Sequence, residues 1–448
     1  MSEQTLAQNK PIYKLYALPW QVFAIFSFAV LAATYLGVLP AGMAGCIALM
    51  VVFGTILQEI GDRTPIIRSY LGGGAIVILF GVALIDYFGG IPELVTENIN
   101  NFFTPTGGFL DFYIAALITG SILGMNRKLL ISAAARYFPA IFGGIIVSFV
   151  LAMTLGGIMG FGSIKTLLLI ALPIMGGGMG AGATPLSKIF EGSSTMSAAE
   201  AISIMTPAVA IGNAISIVLG GILVRVFKGK DINGQGTLMM ANKGSASEYD
   251  ISPEMQAKRD KIDLKSLGIG LFASTTFFAV GYILAMVWSA LVPSITLHAY
   301  AWMILTVAVC KIANIIPETI EVSCYQWFQF IMKNLTTVLL VGIGLCYLKL
   351  DTVIETFSLT YLALCLITCL GAALGAGLVG KFVKFYPVEA AITAGLCMSN
   401  MGGTGDVAVL SAANRMELMP FAQISSRLGG AIILIIGSIL LSSLGGLL

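Results

Sequence analysis

Residues 173–182 read PIMGGGMGAG, and residues 399–406 read SNMGGTGD. Each stretch is a polar, glycine-rich break inside a long apolar region, and the Met-Gly-Gly triplet at Met175 recurs 226 residues later at Met401. Non-helical backbone at membrane depth is tolerated only where protein buries it or where it lines a watery cavity. Two such breaks, one in each half of a chain, therefore indicate a transport site between them.

The composition around the breaks is that of a membrane protein. The 448 residues are 57% hydrophobic and 10% charged, and the mean hydropathy is +0.94, whereas an ordinary soluble domain is about a quarter charged. A soluble fold is therefore excluded. The net charge of +2 favours no particular partner, and the sequence shows no basic patch that would bind nucleic acid. The seven cysteines contain no CxxC pair, which favours buried packing over a disulfide or a metal site.

Apolar runs of roughly spanning length predict an all-α polytopic membrane protein with eleven transmembrane helices. The runs lie near residues 19–38, 41–57, 71–94, 112–125, 137–160, 203–227, 267–292, 300–317, 329–348, 357–379 and 422–446. Two further apolar regions, 164–191 and 387–412, contain the breaks. Each is predicted to be a re-entrant helical hairpin that enters and leaves on the same side of the membrane.

The order of these segments predicts two inverted repeats. Residues 1–40 hold an N-terminal tail and one extra helix, kept as a membrane segment rather than cleaved as a signal peptide. Residues 41–227 and 266–448 each hold five spans with a hairpin between the fourth and the fifth, and 228–265 is a polar linker. The distribution of Lys and Arg places the N-terminus and the linker in the cytoplasm and the C-terminus outside. The segment 95–110, which lacks Lys and Arg, is predicted to be an external loop.

Arg427 lies in SSRLGG at the head of the last apolar run. A charge within a membrane segment is costly and indicates function, and the planar guanidinium matches a carboxylate bidentately. The alternative is an arginine that snorkels to the interface. A helix predicted to start near Thr184-Pro185 would point free N–H groups into the first break and favour an anion there. The alternative for that break is a glycine-rich packing seam.

Asp406 ends the second break and is the best candidate for a carboxylate within the membrane. An anion site does not need a carboxylate beside it, but a coupling Na⁺ does, and unwound backbone carbonyls provide further oxygen ligands. The alternative is that Asp406 only caps the outgoing helix. The predicted sodium ligands are Met175, Gly176, Ser399, Asn400, Gly402, Thr404, Asp406, Ser425 and Ser426. His298 is interpreted as interfacial, and Lys311 and Lys333 as lysines that snorkel beside a cytoplasmic turn.

At these residues the chain resembles the 2-hydroxycarboxylate transporter family, the bacterial sodium symporters and exchangers for citrate, malate and lactate. The segments that carry the resemblance are PIMGGGMGAGATPLS, AITAGLCMSNMGGTGD, VLSAANRM and AQISSRLGG. The resemblance implies eleven helices, two re-entrant hairpins and a homodimer in the lipid of the bacterial inner membrane. It also implies an elevator, in which a mobile transport domain moves against a scaffold. Arg427 matches the family arginine that holds the 2-hydroxycarboxylate group.

Two departures from the family bear on the substrate. Citrate carriers of this family have arginine where this chain has Met401, and asparagine where it has Met179. Because the arginine would pair with a further carboxylate, its loss favours a dicarboxylate, malate first, over citrate. The predicted substrate site comprises Gly178, Met179, Gly180, Met401, Gly402, Gly403, Thr404 and Arg427. The expected function is sodium-coupled symport of malate, with citrate transport, malate–lactate exchange and proton coupling left open.

Two other functional classes fit the sequence less well. Residues 403–406 match the GxGD pattern of intramembrane aspartyl proteases, but such an enzyme needs a second membrane aspartate. The nearest candidate, Asp86, lies at the end of a span. A channel could also use opposed hairpins, but it would not need a costly Arg427 beside an acidic ion site. The chain is therefore not expected to be an enzyme.

Overall fold

The computed structural model describes residues 13–65, 67, 74–104, 107–125, 127–193, 196–240, 253–292, 298–415 and 418–448. These residues are almost entirely helical, and a two-stranded antiparallel sheet pairs β1 (Lys14–Leu15) with β2 (Leu18–Pro19). The helices of the first half are α1 (Trp20–Tyr35), α2 (Met43–Arg63), α3 (Gly74–Tyr87), α4 (Glu93–Phe103), α5 (Phe109–Leu123), α6 (Arg127–Ile158), α7 (Ser163–Thr166), α8 (Leu172–Ile174), α9 (Thr184–Ser193) and α10 (Ala198–Val226). Those that follow are α11 (Pro253–Asp260), α12 (Leu264–Leu291), α13 (Ala299–Ile312), α14 (Glu318–Cys346), α15 (Leu350–Thr356), α16 (Leu359–Phe382), α17 (Pro387–Ala390), α18 (Gly403–Ala413), α19 (Met419–Ile424) and α20 (Gly430–Leu444).

Seven helices among the described residues are long and apolar enough to cross a membrane, which confirms an all-α polytopic membrane protein. They begin at Met43, Tyr137, Ala198, Leu264, Glu318, Leu359 and Phe421. The other four predicted spans coincide with α1, α3, α5 and α13, which have 14–16 residues. Helices of that length extend over roughly 21–24 Å, less than the ~30 Å hydrocarbon core. The count of eleven crossings therefore stays a prediction.

Both breaks interrupt the helices as predicted. The first arm enters through α7, a π turn (Leu167–Ala171) and α8, and the helix resumes at Met179. The second arm enters through α17 and a π turn (Ala391–Leu396), and α18 begins at Gly403. Single π turns inside α-helices are frequent at functional sites.

The outgoing helix of the first break starts closer to the tip than predicted. A π turn over Met179–Ala183 precedes α9, so the helix begins five residues before Thr184. The N–H groups of Gly182 and Ala183 both donate to the carbonyl oxygen of Gly178, each at 3.0 Å. Because the residues from 180 to 183 are Gly or Ala, no bulky side chain prevents this extra turn.

The segment predicted to be an external loop contains a helix, so that part of the prediction was wrong. Helix α4 (Glu93–Phe103) buries Val95, Ile99 and Phe102 on one face. These apolar positions recur at helical spacing. The polar residues between them gave the segment the composition of a loop.

Lys311 lies beside the turn between α13 and α14 as interpreted, but it does not snorkel, and the placement of Lys333 beside that turn was wrong. The Nζ of Lys311 lies 2.6 Å from a carboxylate oxygen of Glu321, and both side chains are nearly buried. Helix α14 begins at Glu318, well before the predicted apolar run. Its first turns hold polar residues such as Gln326, so hydropathy did not include them in the run. Lys333 therefore lies mid-helix, with fifteen residues of α14 before it and thirteen after.

Helix α16 joins the second hairpin to the long helix α6. A Cβ added to Gly375 would lie 2.1 Å from the carbonyl oxygen of Gly143, and one added to Gly395 would lie 2.6 Å from that of Ala372. Small residues let membrane helices approach to backbone contact. The incoming arm of the second break is thus held by the same helix that packs on α6.

The cysteines agree with the prediction of buried packing. All seven are free thiols, and Cys365 and Cys369 are fully buried. The sulfur of Cys369 contacts the carbonyl oxygen of Gly212 at 3.6 Å. Their contribution is therefore to the packing of α16 against its neighbours.

The first part of the linker is docked on the base of the second hairpin. The N–H groups of Gly234 and Gly236 donate to the carboxylate of Glu389 at 2.8 and 3.2 Å. Glu389 is fully buried and also accepts from Nε of Arg415 at 3.3 Å. Arg415 in turn donates to the side-chain oxygen of Asn233 at 3.0 Å.

The last part of the linker is docked elsewhere, on α5 and α14. Nη2 of the buried Arg259 donates to the carbonyl oxygen of Gly124 at 2.7 Å. The Arg259 guanidinium also stacks 4.4 Å above the ring of Tyr325. Gln326 donates to three carbonyls of the linker, at 2.9–3.2 Å. The linker therefore contacts two separate parts of the fold.

Candidate functional site

The two breaks meet backbone to backbone. A Cβ added to Gly178 would lie 2.9 Å from the carbonyl oxygen of Met401, and one added to Gly402 would lie 3.0 Å from that of Gly177. One added to Gly177 would lie 2.4 Å from the carbonyl oxygen of Ser426. Side chains at these positions would separate the breaks from each other and from the last helix.

The glycines at this junction also need left-handed backbone. Gly177 and Gly178 have φ of +79° and +105°, and Gly402 has φ of +75°, a region that L side chains rarely adopt. These positions therefore require glycine for two reasons: the backbone is left-handed, and a Cβ would clash with the neighbouring backbone.

Helix α10 fixes the second break through two polar side chains that the sequence analysis missed. The side-chain oxygen of Asn213 accepts from the N–H of Met401 at 3.1 Å. Ser216 donates to the carbonyl oxygen of Ser399 at 3.0 Å, and the two serine hydroxyls are also 3.0 Å apart. Both α10 residues are buried. Polar residues on the inner face of a membrane helix were the available signal.

Asp406 lies at the centre of a buried polar cluster. Its Oδ1 accepts from Nδ2 of Asn400 at 3.0 Å, and its Oδ2 accepts from the hydroxyl of Ser426 at 2.8 Å. The carboxylate is fully buried. Asp406 lies in the first turn of α18 rather than at its N-cap, so capping alone does not account for it. Three of the predicted sodium ligands are thus brought together.

The other two predicted serine ligands bond to different partners. The hydroxyl of Ser425 lies 2.9 Å from that of Tyr137, which also donates to the carbonyl oxygen of Phe421. The hydroxyl of Ser399 faces Ser216 and the carbonyls of its own helix. Ser425 thus ties the last long helix to α6, and Ser399 ties the second hairpin to α10.

The remaining predicted ligands of the breaks have varied surroundings. Met175 is fully buried. A Cβ added to Gly182 would lie 2.4 Å from the carbonyl oxygen of Gly176, and one added to Gly430 would lie 2.8 Å from the same oxygen. Gly403 begins α18. The side chain of Thr404 falls outside the described part of the structure.

A cavity of about 680 Å³ opens beside the junction of the breaks. Six predicted site residues line it: Met179, Gly180, Met401, Gly402, Ser426 and Arg427. Its opposite wall comes from α2, α3, α5 and α14, with Gln58, Asp62, Tyr113, Ser121, Phe328, Met332, Lys333, Thr336 and Thr337 among the lining residues. The volume is within the usual range of small-molecule pockets.

Arg427 projects from a π turn (Ser425–Gly429) in the last long span. Its guanidinium carbon lies 6.0 Å from the centre of the Phe328 ring. Among the described residues, no carboxylate lies within 4.0 Å of it. A partly buried guanidinium that lines a cavity without an ion pair favours an anionic ligand over a snorkelling role.

The wall opposite Arg427 carries several polar groups among apolar side chains. The hydroxyls of Tyr113 and Thr336 are 2.8 Å apart. The hydroxyl of Thr337 is buried and has no hydrogen-bond partner among the described residues. Lys333 lies one turn before Thr337 and lines the same cavity. These groups were missed as site residues because the hydropathy of the predicted spans does not show which face of each helix meets the breaks.

His298, interpreted from the sequence as interfacial, precedes α13 as its N-cap. Its Nδ1 accepts from the N–H of Tyr300 at 3.3 Å, and its own N–H donates to the hydroxyl of Ser438 at 2.6 Å. Burial lowers the pKa of His298 to about 4. The ring is therefore neutral near pH 7 and holds the start of α13.

The whole sequence is similar to those of known transporters. The sequence profile described as the 2-hydroxycarboxylate transporter family matches residues 15–439. The chain is 38% identical to the malate transporter MleP of Lactococcus lactis, over 96% of this chain and 97% of that protein. It is 36% identical to a citrate/sodium symporter of Salmonella typhimurium, over 96% and 95%. It is 35% identical to a citrate/sodium symporter of Klebsiella pneumoniae, over 98% of each chain.

Proposed function

The chain belongs to the 2-hydroxycarboxylate transporter family, and we propose that it is a sodium-coupled symporter of a 2-hydroxy dicarboxylate, malate first. Its relatives are transporters rather than enzymes, which excludes the aspartyl protease alternative. The observation that carries the proposal is the cavity in which Arg427 lies beside the meeting point of the two breaks. The substrate site is proposed to comprise the residues predicted from the sequence.

The proposed substrate binds with one carboxylate on the guanidinium of Arg427. Gly180 and Gly402, near the starts of the outgoing helices, line the same cavity, and the N-terminal end of a helix favours negative charge. Met179 and Met401 supply apolar surface where a third carboxylate would need a donor. This favours malate over citrate, although relatives named for either substrate are similarly close.

The proposed coupling ion is Na⁺, held near Asp406, Asn400 and Ser426. Two relatives are named citrate/sodium symporters. Ser426 bonds to Asp406 and also lines the cavity next to Arg427. A cation at Asp406 would therefore act on the substrate pocket through a single shared side chain. This supplies a physical route for coupling.

The movement is proposed to be an elevator within a homodimer. The two hairpins and the last helix, which share backbone contacts at the breaks, would move as one body against α2, α5 and α14. Among the seven long apolar helices of the described residues, α12 is the least buried, with 17% of its most apolar stretch covered by the rest of the protein. Its uncovered face is available to lipid or to a second copy of the chain. The inverted repeats 41–227 and 266–448, the inner membrane and the cytoplasmic N-terminus belong to the same proposal.

Uptake of radiolabelled L-malate into proteoliposomes, with and without an inward Na⁺ gradient, tests the proposal. Symport predicts accumulation above equilibrium only with the gradient, and weak competition by citrate. Rapid exchange against internal malate or lactate without accumulation would instead identify an exchanger. If a proton gradient drives accumulation equally well, H⁺ replaces Na⁺ as the proposed coupling ion. Strong competition by citrate would reject the role given to Met401.

A further inference from the structure

Lys333 occupies an unusual place for a lysine. It lies about 22 Å along α14 from Glu318, at 1.5 Å per residue, in a helix of 29 residues that is long enough to span a membrane. Its position in the middle of the span leaves it too far from either end to reach the interface easily by snorkelling. An ionisable residue at that depth is costly unless it faces water or a ligand.

The structure directs Lys333 into the cavity that Arg427 lines. Thr336, Thr337 and Leu340, which follow it by three, four and seven residues, line the same cavity, so one face of α14 forms the wall. Close packing against α2 fixes this face, because a Cβ added to Gly54 would lie 2.7 Å from Cβ of Thr337. Lys333 is exposed and is one of the residues that line this cavity.

Its ammonium has no ion pair in the described part of the chain. No carboxylate there lies within 4.0 Å of it. Among the described lining residues, the only carboxylate is Asp62, which already accepts from the N–H of Gly74 at 2.9 Å. The described part of the lining thus contains two cations on different helices and one anion.

We propose that Lys333 is the partner of the second carboxylate of the substrate and sets the preference for dicarboxylates over monocarboxylates. This inference rests on the proposed function. Arg427 binds the carboxylate next to the 2-hydroxyl group from the side of the breaks. Lys333, a point charge on a flexible four-carbon chain, reaches the distal carboxylate from α14. It supplies the positive charge that an arginine at Met401 would otherwise bring.

A pair of substrates that differ only at the distal end tests this assignment. Binding of L-malate and of L-lactate, which lacks the second carboxylate, is measured at saturating Na⁺ in purified wild-type protein and in Lys333→Gln. Malate affinity should fall about tenfold to a hundredfold, the usual value of a hydrogen-bonded charge. Lactate affinity should change less than about twofold. Lys333→Arg should retain the preference, and Lys265→Gln, an exposed lysine outside the cavity, is the matched control.

Chemical rescue separates charge from folding. Lys333→Cys is treated with 2-aminoethyl methanethiosulfonate, which rebuilds an ammonium side chain, or with the sulfonatoethyl reagent, which adds a negative charge. Only the first should restore malate affinity, and treated wild type controls for the native thiols. Equal loss of malate and lactate, or rescue by both reagents, would overturn the inference while the proposed function stands. A wild-type protein that binds neither acid would overturn both.

Discussion

The hydroxyl of Ser426 donates to Oδ2 of Asp406 across 2.8 Å, and the same serine lines the cavity beside Arg427. The proposed ion site and the proposed anion site thus share a side chain. Asp406 is fully buried, and the structure gives each of its oxygens one donor. A substitution of Ser426 should therefore affect both the proposed ion site and the proposed anion site.

Ser426→Ala should weaken the dependence of malate uptake on Na⁺. The change removes the donor to Oδ2 of Asp406, and a hydrogen bond to a charged group contributes about 1.5–3 kcal/mol. The Na⁺ concentration for half-maximal uptake should therefore shift by about tenfold or more. Ser442→Ala, whose hydroxyl bonds only within its helix among the described residues, is the control. An unchanged Na⁺ titration would remove Ser426 from the ion site.

Asp406→Asn should nearly abolish the Na⁺ effect while it preserves the shape of the side chain. Asn lacks the charge that a cation needs in a buried site. The check is a Na⁺ titration of malate binding. The double variant with Ser426→Ala should lose less Na⁺ binding free energy than the sum of the two single losses, because both changes act on one interaction. Strict additivity would place the two residues in separate roles.

Arg427→Ala should abolish malate uptake and leave the protein folded. Loss of a bidentate guanidinium leaves the anion without its main partner, so we expect the affinity to fall more than about a hundredfold. Size-exclusion chromatography monitors the fold, and Arg225→Ala, an exposed arginine at the end of α10, is the control. Normal malate affinity in Arg427→Ala would refute the site assignment.

Met401→Arg should raise competition by citrate. The N–H of Met401 is held by Asn213 at 3.1 Å, so the backbone of the break is anchored independently of the side chain. The added guanidinium gives a third carboxylate its partner, and citrate inhibition of malate uptake should strengthen about tenfold or more. Met401→Leu keeps the pocket apolar and should leave competition weak. Equal citrate inhibition in both variants would contradict the inference from Met401.

Glu389→Gln should destabilise the protein far more than its position outside the cavity suggests. Breaking a buried ion pair from one side costs about 3–5 kcal/mol, and Glu389 pairs with Arg415 and with two linker N–H groups. Thermal unfolding in detergent measures the loss. The pair between Lys258 and Glu318 is largely exposed, so Lys258→Gln should leave unfolding unchanged. Comparable shifts in the two variants would contradict the importance of burial.

The sequence was most informative at the breaks. Glycine density at Gly177, Gly178 and Gly402 predicted interrupted helices, because few other requirements concentrate glycine in an apolar segment. The identity of the partners across the junction did not follow from it. Ser425 and Ser426 are adjacent, yet one faces Tyr137 and the other Asp406, since a helix turns neighbouring side chains apart by about 100°.

The boundaries of α14 show why Lys333 was misplaced. Glu321 lowers the local hydropathy, although it lies in a nearly buried pair with Lys311. Hydropathy alone cannot distinguish a paired charge from a solvated one. The span was therefore predicted to begin after Gln326, and Lys333 was assigned to its end.

The two docking places of the linker set a geometric limit on any displacement between them. Met240 is bonded to Lys384 beside the second hairpin, and Arg259 is bonded to Gly124 at the end of α5. Twelve residues lie between Met240 and the start of α11 at Pro253, and the thirteen steps between these two Cα atoms reach at most about 45 Å when fully extended. The covalent chain is thus a tether whose contour length bounds the stroke of the hairpin relative to α14.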